Sequence, residues 1–155
     1  MRSVRYFLLV ICLLCAVSIK AQSFVTVENG RFCRNDKPYT FIGANYWYAA
    51  ILGSTGKGGN RRRLNKELDE LKRLGITNLR ILVGSDGDDD SKWKVKPVLQ
   101  TAPGVYNDSL LAGLDYLMLQ LQAHNMVAVL YLNNSWEWSG GYGFYLENSG
   151  AGKAV

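Results

Sequence analysis

Cysteine and histidine are scarce in this chain of 155 residues, which contains three cysteines and one histidine. Cys12 and Cys15 lie in an apolar N-terminal stretch, so only Cys33 is left once that stretch is removed. A chain with one thiol forms no internal disulfide, and its stability must come from a hydrophobic core. The single histidine, His124, ends a predicted helix, where a cation suits the helix dipole, and we interpret it as structural.

The net positive charge of the chain is also small, and more than half of it lies at the N-terminus. Residues 1–21 have a basic start, a 13-residue apolar stretch at 7–19 and Ala21 at a plausible cleavage site. This layout predicts a secretory signal peptide, with an N-terminal membrane anchor as the alternative. Removal of Arg2, Arg5 and Lys20 with the leader lowers the formal charge from +5 to +2. We therefore expect a secreted protein, extracellular or periplasmic, that is not stably inserted in a membrane and does not bind nucleic acid.

The remaining sequence predicts a β-hairpin followed by alternating strands and helices. Asn29-Gly30 separates two short apolar runs and suits a type I′ turn. Strands are predicted at 39–45, 76–83 and 126–132, the last of them buried on both faces. Apolar residues at helical spacing predict two helices, the second capped by Asn107 or Asp108. They are Leu64, Leu68, Leu71 and Leu74 in the first helix, which Gly75 ends, and Leu110, Leu111, Leu114, Leu117, Met118 and Leu121 in the second.

This order of elements predicts an α/β fold with a parallel sheet and helices outside it. Two architectures fit, an open doubly wound sheet and the start of a (β/α)₈ or TIM barrel. Asn45, residues 84–86 and residues 133–134 follow the C-terminal ends of successive strands, where both architectures bind ligands. No glycine-rich turn follows the first strand, and the βα loops are long and aromatic, which favours the barrel. Residues 22–155 are then expected to form a hairpin and about the first three βα units.

The most informative segment is 126–141, in which a strand leads directly into two amides and two tryptophans. Asn133 and Asn134 can hydrogen-bond hydroxyl groups, and the rings of Trp136 and Trp138 can lie flat on a pyranose. Trp47, just past the first strand of the parallel sheet, offers a further ring. These residues predict a polysaccharide-binding surface. In the alternative interpretation the asparagines only form a turn, and the tryptophans fill space between loops.

Three landmarks occur in a particular order: FIGANYW at 41–47, LKRLGITNLR at 71–80 and LNNSW at 132–136 followed by Gly140-Gly141. With these landmarks the chain resembles the N-terminal third of endo-β-1,4-mannanases of glycoside hydrolase family 5. The resemblance implies a TIM barrel that hydrolyses internal bonds of β-mannan with retention and needs no cofactor. It also implies that Arg80 hydrogen-bonds the nucleophilic carboxylate. An arginine that points outward between strand and helix is the alternative.

Catalysis in this family requires two glutamates on opposite sides of the scissile bond. The resemblance implies that they follow the fourth and seventh strands, and the predicted strands stop at the third. We therefore expect both glutamates to be missing from this chain and the chain alone to be inactive. Glu137 is the only carboxylate in the aromatic loop, and the resemblance gives it no catalytic role. The alternatives are a non-catalytic carbohydrate-binding protein and a family 5 glycosidase that acts on another β-glycan.

Three further clusters carry no predicted function. Asp86 and residues 88–90 are crowded, but their spacing does not reproduce a helix–loop–helix calcium site, and we interpret them as a solvated loop. Residues 53–58 lack the complete pattern of a phosphate-binding loop. Residues 61–63 are three arginines at the start of a helix, and no pattern in the sequence explains them.

Overall fold

The computed structural model describes residues 24–87 and 93–152. The predicted signal peptide and most of the acidic loop, including residues 88–90, lie outside these ranges. The chain divides into two units, Met1–Tyr39 and Thr40–Val155. In the described part of the chain, no helix combines the length and the hydropathy needed to cross a membrane.

The first unit contains a small antiparallel sheet. Its strands are β1 (Val25–Glu28), β2 (Arg31–Arg34) and β3 (Lys37–Pro38), in that spatial order. Asn29 and Gly30 both have positive φ, 49° and 76°, as a type I′ turn requires. The predicted hairpin is therefore confirmed, and Cys33 is a buried free thiol within it.

The second unit contains a parallel sheet of three strands in the order β4-β5-β8. Its elements are β4 (Gly43–Asn45), α1 (Ala49–Gly53), α2 (Arg61–Arg73), β5 (Asn78–Leu82), β6 (Gln100–Ala102), β7 (Val105–Tyr106), α3 (Asp108–Ala123), β8 (Val127–Tyr131), a 3₁₀ turn (Glu137–Ser139) and α4 (Gly141–Asn148). The short strands β6 and β7 form a separate hairpin. The parallel strands and the two long helices are confirmed, whereas α1, the β6–β7 hairpin and α4 were not predicted. The parallel strands follow their sequence order without the reversal of an open doubly wound sheet.

One face of the parallel sheet packs against the helices. Leu79 and Ile81 of β5 are fully buried in a core that includes Leu64 and Leu68 of α2 and Leu117 and Leu121 of α3. Because side chains alternate along a strand, Arg80 points to the opposite face, and it is exposed. The fold therefore places this arginine on the face of the sheet away from the helical core.

Helices α1 and α3 touch through glycines. A Cβ atom on Gly53 would lie 2.3 Å from the carbonyl oxygen of Gly113, and one on Gly113 would lie 2.4 Å from that of Ala50. No side chain fits between these backbones. The glycines therefore allow the first βα loop to pack directly on α3.

Two leucines assigned to buried helix faces are exposed instead. Leu74 is 57 % exposed because α2 ends at Arg73, and the chain turns away through Gly75, which has a φ of 78°. Gly75 follows the C-cap residue, which is Leu74 itself. Leu111 is 39 % exposed, since it lies about 100° around α3 from the buried Leu110.

The prediction that strand β8 is buried on both faces is wrong. Val129 is 50 % exposed and Leu130 41 %, and Leu132 just beyond the strand is 74 % exposed. Within the described ranges, β8 pairs only with β5 and forms one edge of the sheet. The apolar side chains of β8 are therefore not covered on both faces of the strand, although Ala128 contacts the core.

Candidate functional site

The C-terminal ends of the three parallel strands bring polar side chains to one edge of the sheet. Asn45 of β4 is in register with Arg80 of β5, and Arg80 Nη1 donates a hydrogen bond of 3.3 Å to Asn45 Oδ1. The guanidinium carbon of Arg80 also lies 3.6 Å from the ring centroid of Tyr131 in β8. Residues from all three strands therefore form this edge, which we call the rim.

The two amides that follow β8 organise the loop between β8 and α4. The Asn134 backbone N–H donates to Asn133 Oδ1 at 2.6 Å, and the Trp136 backbone N–H donates to Asn134 Oδ1 at 2.8 Å. The hydroxyl of Ser139 also donates to Asn134 Oδ1, at 3.0 Å. The predicted turn role of the asparagines is therefore present in the structure. Asn134 is half-buried, and within the described residues no acceptor contacts its Nδ2 atom.

The interpretation of the acidic loop as solvated is wrong for Asp86, which is only 4 % exposed. Gln100 Nε2 donates to Asp86 Oδ1 at 2.8 Å, and the hydroxyl of Tyr145 donates to Asp86 Oδ2 at 3.1 Å. Asn133 Nδ2 donates to the same Oδ2 atom through a short hydrogen bond. These three hydrogen bonds replace those that the carboxylate would make with water, so Asp86 can be buried between the loops.

The three predicted sugar-stacking tryptophans form one cluster. The Trp47 and Trp138 rings meet edge to face with centroids 4.7 Å apart, and the Trp138 and Trp136 centroids are 5.4 Å apart. Trp47 and Trp138 are half-buried, whereas Trp136 is 64 % exposed. Trp136 is therefore the ring of the cluster that a sugar can reach most directly.

A groove of about 470 Å³ lies beside the aromatic loop. Its lining includes Ser135 and Glu137, the two neighbours of Trp136, together with Tyr142 and Tyr145 of α4. Glu137 is exposed at the start of the 3₁₀ turn. The tryptophan loop is thus open to solvent and has a concave surface next to it.

A carboxylate on α2 fixes the segment that carries Trp47. Glu67 accepts hydrogen bonds from the Tyr46 hydroxyl at 2.6 Å, the Tyr48 hydroxyl at 3.2 Å and Arg63 Nε at 2.6 Å. Burial alone would raise the pKa of Glu67, but these donors outweigh it and hold the pKa below its usual value. Burial, followed by the contact with Glu67, raises the pKa of the Tyr46 phenol. The residues on both sides of Trp47 are thereby attached to helix α2.

Structural partners are present for two of the three arginines at 61–63, Arg61 and Arg63, and for the histidine. Arg61 Nε donates to the Gly53 carbonyl at 2.8 Å, and its guanidinium lies 4.0 Å from the Tyr116 ring centroid. His124 at the end of α3 contacts the Gln120 carbonyl and Asp69. Among the residues placed by the structure, no group of three or more His, Cys, Asp or Glu side chains is arranged to hold a metal ion.

Sequence reasoning placed residues 84–86 at the ligand-binding ends of the strands but gave Asp86 no role there. It missed Tyr131, Tyr145 and Glu67 as contributors to the site. Tyr131 had an available signal, since it lies two residues along a strand from the position in register with Arg80. The partners of Asp86 come from segments 14, 47 and 59 residues away, and no local pattern shows such contacts.

Comparison with known proteins agrees with this geometry. The model of the GH family 5 beta-mannosidase-like family matches residues 22–154. The chain belongs to this glycoside hydrolase family. Members with solved structures are TIM barrels, and the described residues account for a part of such a barrel.

Several proteins that are named for activity on mannan or mannosides are similar to this chain. Mannan endo-1,4-beta-mannosidase 3 of Solanum lycopersicum is 29 % identical over 143 residues, which cover 89 % of this chain and 33 % of the relative. The glycoside hydrolase family 5 mannosidase of Rhizomucor miehei, solved as an E301A mutant, has 38 % identity and a TM-score of 0.79, over 84 % of this chain and 32 % of that one. The endo-1,4-beta-mannanase of the same organism has 26 % identity and a TM-score of 0.66, over 83 % and 34 %. The chain thus spans about one third of the length of its relatives.

Proposed function

We propose that the protein containing these residues is a retaining glycoside hydrolase that cleaves β-1,4-mannosidic bonds within mannan. The observation that carries the proposal is the family match over residues 22–154, together with relatives that are named for this activity. In the proposal the parallel strands β4, β5 and β8 are the first three strands of a complete TIM barrel, and the rim is part of the substrate cleft.

The rim supplies groups suited to a sugar polymer. Trp136 presents an exposed ring for stacking on a pyranose, supported by Trp138 and Trp47. Asn134 presents an amide donor for a hydroxyl group. Asn133 was predicted to bind substrate too, and its hydrogen bonds within the loop support an indirect part in that binding.

Arg80 is suited to hold a catalytic carboxylate. Its guanidinium is fixed by Asn45 and Tyr131, and Nη1 is the only one of its nitrogens with a hydrogen-bond partner in the described ranges. The remaining donors can meet a carboxylate and keep it ionised. In the proposed mechanism one glutamate protonates the leaving oxygen and a second attacks the anomeric carbon, after which water hydrolyses the glycosyl-enzyme bond. We place both glutamates outside these 155 residues.

A second candidate is a β-mannosidase that acts on short mannosides or chain ends. It is favoured by one observation, the higher identity and TM-score to the Rhizomucor miehei mannosidase than to the mannanase of that organism. That mannosidase was also solved, as an E202A mutant, in complex with mannosyl-fructose. Release of mannose alone from linear mannan, with a slow fall in viscosity, would favour this candidate.

The test compares the complete gene product with the 155-residue chain on linear mannan. We expect the complete product to release mixed oligosaccharides and to lower the viscosity rapidly, and the 155-residue chain to release no more reducing sugar than an inert protein. If the complete product cleaves a β-glucan but leaves mannan intact, the mannan proposal is wrong. If it binds mannan without cleaving any glycan, the protein is a carbohydrate-binding protein.

Secretion is part of the proposal, since mannan is a polymer outside cells. It is supported by the signal-peptide pattern of residues 1–21. N-terminal sequencing of the protein recovered from the medium or the periplasm tests it, with a start after Ala21 as the expected result. Recovery only in a membrane fraction would favour the anchor.

A further inference from the structure

Asp86 connects three segments of the chain next to the rim. Its carboxylate is 4 % exposed and accepts hydrogen bonds from Gln100 of β6, Asn133 after β8 and Tyr145 of α4. Its backbone N–H donates to the Ser139 carbonyl at 3.0 Å. The loop after β5 is therefore joined to the loop after β8 at Asp86, as it also is where the Val95 N–H donates to the Trp138 carbonyl.

The orientation of two amide groups shows that Asp86 must act as an acceptor. The Asn134 backbone N–H donates to Asn133 Oδ1 at 2.6 Å, and the Gly104 backbone N–H donates to Gln100 Oε1 at 2.9 Å. A backbone N–H can only donate, so each amide must turn its oxygen toward it. The NH₂ groups of both Asn133 and Gln100 then face Asp86, where only a carboxylate accepts from both.

We propose that Asp86 is a positioning residue for sugar binding, which holds the Asn133 amide in the orientation that presents Asn134 and Trp136 to the glycan. This inference rests on the proposed function. The path has three consecutive steps: Asp86 accepts from Asn133, Asn133 accepts from the Asn134 N–H, and Asn134 accepts from the Trp136 N–H. The backbone of the residue that carries the exposed Trp136 ring is therefore linked to the buried carboxylate through two asparagines.

Reversal of the Asn133 amide would break this path. The NH₂ group would then face the Asn134 N–H, and the turn would lose its acceptor. An asparagine at position 86 has nearly the shape of aspartate but offers one acceptor oxygen in place of two. It can serve Gln100 or Asn133, but it cannot serve both amides in their present orientation. Asp86→Asn is therefore the decisive substitution.

The experiment uses the complete gene product and a linear mannan oligosaccharide of six units. In Asp86→Asn we expect KM to rise about tenfold or more with kcat within about threefold, because loosening a binding loop affects substrate capture. We also expect faster hydrogen exchange at the Asn134 and Trp136 amides. The matched control is Asp115→Asn, the same substitution at an exposed residue of α3 that takes no part in the contacts around Asp86, so KM should stay within about twofold.

A reversed pair provides the rescue. In the double variant Asp86→Asn, Asn133→Asp, the amide at 86 donates to the carboxylate at 133, which still accepts from the Asn134 N–H. We expect slow exchange at Trp136 to return. If Asp86→Asn alone does not fold, a folded double variant with slow exchange supports the proposal, and an unfolded one overturns it.

The two proposals fail in different ways. If Asp86→Asn is folded and its amide exchange and KM match the parent, the positioning role is wrong, whatever the enzyme cleaves. A fall in kcat with unchanged KM also overturns it. If the parent has no activity on mannan, the proposed function fails, and the exchange measurements alone decide whether Asp86 orders the turn.

Discussion

The guanidinium of Arg80 stacks on the ring of Tyr131, with the guanidinium carbon 3.6 Å from the ring centroid. The two residues belong to adjacent parallel strands and lie on the same face of the sheet, because Tyr131 follows the register partner of Arg80 by two residues. A cation–π contact of this kind contributes about 0.5–2 kcal/mol. With the hydrogen bond to Asn45, it holds a planar group of donors in one orientation before any partner arrives.

Replacement of Arg80 tests this orientation. Arg80→Lys keeps the positive charge but loses the planar set of donors, so we expect kcat of the complete enzyme on mannan to fall about 100-fold, or ~2.7 kcal/mol. Tyr131→Phe is the matched control, since it keeps the ring and should leave kcat close to that of the parent. A lysine variant with the parental kcat would show that a positive charge at position 80 is sufficient for catalysis without the planar set of donors.

The exposed ring of Trp136 is expected to carry affinity for mannan. Trp136→Ala should weaken binding about tenfold, or ~1.4 kcal/mol, measured as mobility in native gels that contain galactomannan. Trp93→Ala is the control, because Trp93 is similarly exposed, at 54 % against 64 %, but is not part of the tryptophan cluster. Equal retardation of both variants and the parent would show that Trp136 is not part of the binding surface.

The Glu67 cluster predicts a specific dependence of stability on pH. Since the pKa of Glu67 is lowered in the folded protein, its contribution is present above the unfolded value of about 4.3 and is lost as the pH falls through the folded value. Glu67→Gln should therefore cost about 1–3 kcal/mol of unfolding free energy at pH 7, and the difference should shrink below about pH 4.

Denaturant unfolding at several pH values checks this prediction. Glu70→Gln on the same helix is the control, because Glu70 pairs with Arg73 at the surface and should contribute little. A Glu67→Gln variant whose deficit stays constant from pH 7 to pH 3 would contradict the proposed ionised state.

Gly140 is expected to tolerate no side chain. It has a φ of 105°, and a Cβ atom there would lie 2.6 Å from the Asp86 carbonyl oxygen. Gly140→Ala therefore combines backbone strain with a collision, and we expect it to cost more than about 3 kcal/mol. Gly150→Ala is the control, since Gly150 has a φ of 73° and open space around it, so strain alone should cost about 1–2 kcal/mol. Equal melting temperatures of the two variants would contradict the collision.

Local patterns were sufficient where the structure depends on neighbours in sequence. The Asn29-Gly30 turn and the cap at Asn107 need only adjacent backbone groups, and both are present as predicted. The buried leucines of α2 and α3 follow from helical periodicity, which fails only where the helix ends, at Leu74, or at the margin of the apolar face, at Leu111.

Contacts between distant segments were not predictable in the same way. The apolar sequence of β8 correctly indicates a strand, but its exposure depends on which elements pack beside it. Asp86 reads as one of several loop acids, and only the arrival of Gln100, Asn133 and Tyr145 makes its burial possible. The tryptophan cluster was predicted as a group of rings, whereas their different exposures required the structure.

The contact of Trp138 with both Trp47 and Trp136 makes the site observable without a label. Indole rings whose centroids are 4.7 Å and 5.4 Å apart share their electronic excitation, and the resulting near-ultraviolet circular dichroism depends on the angles between them. A glycan that settles on the outermost ring changes the polarity around one member of this coupled set. Occupancy can therefore be followed optically in the native protein, in real time and with its own chromophores.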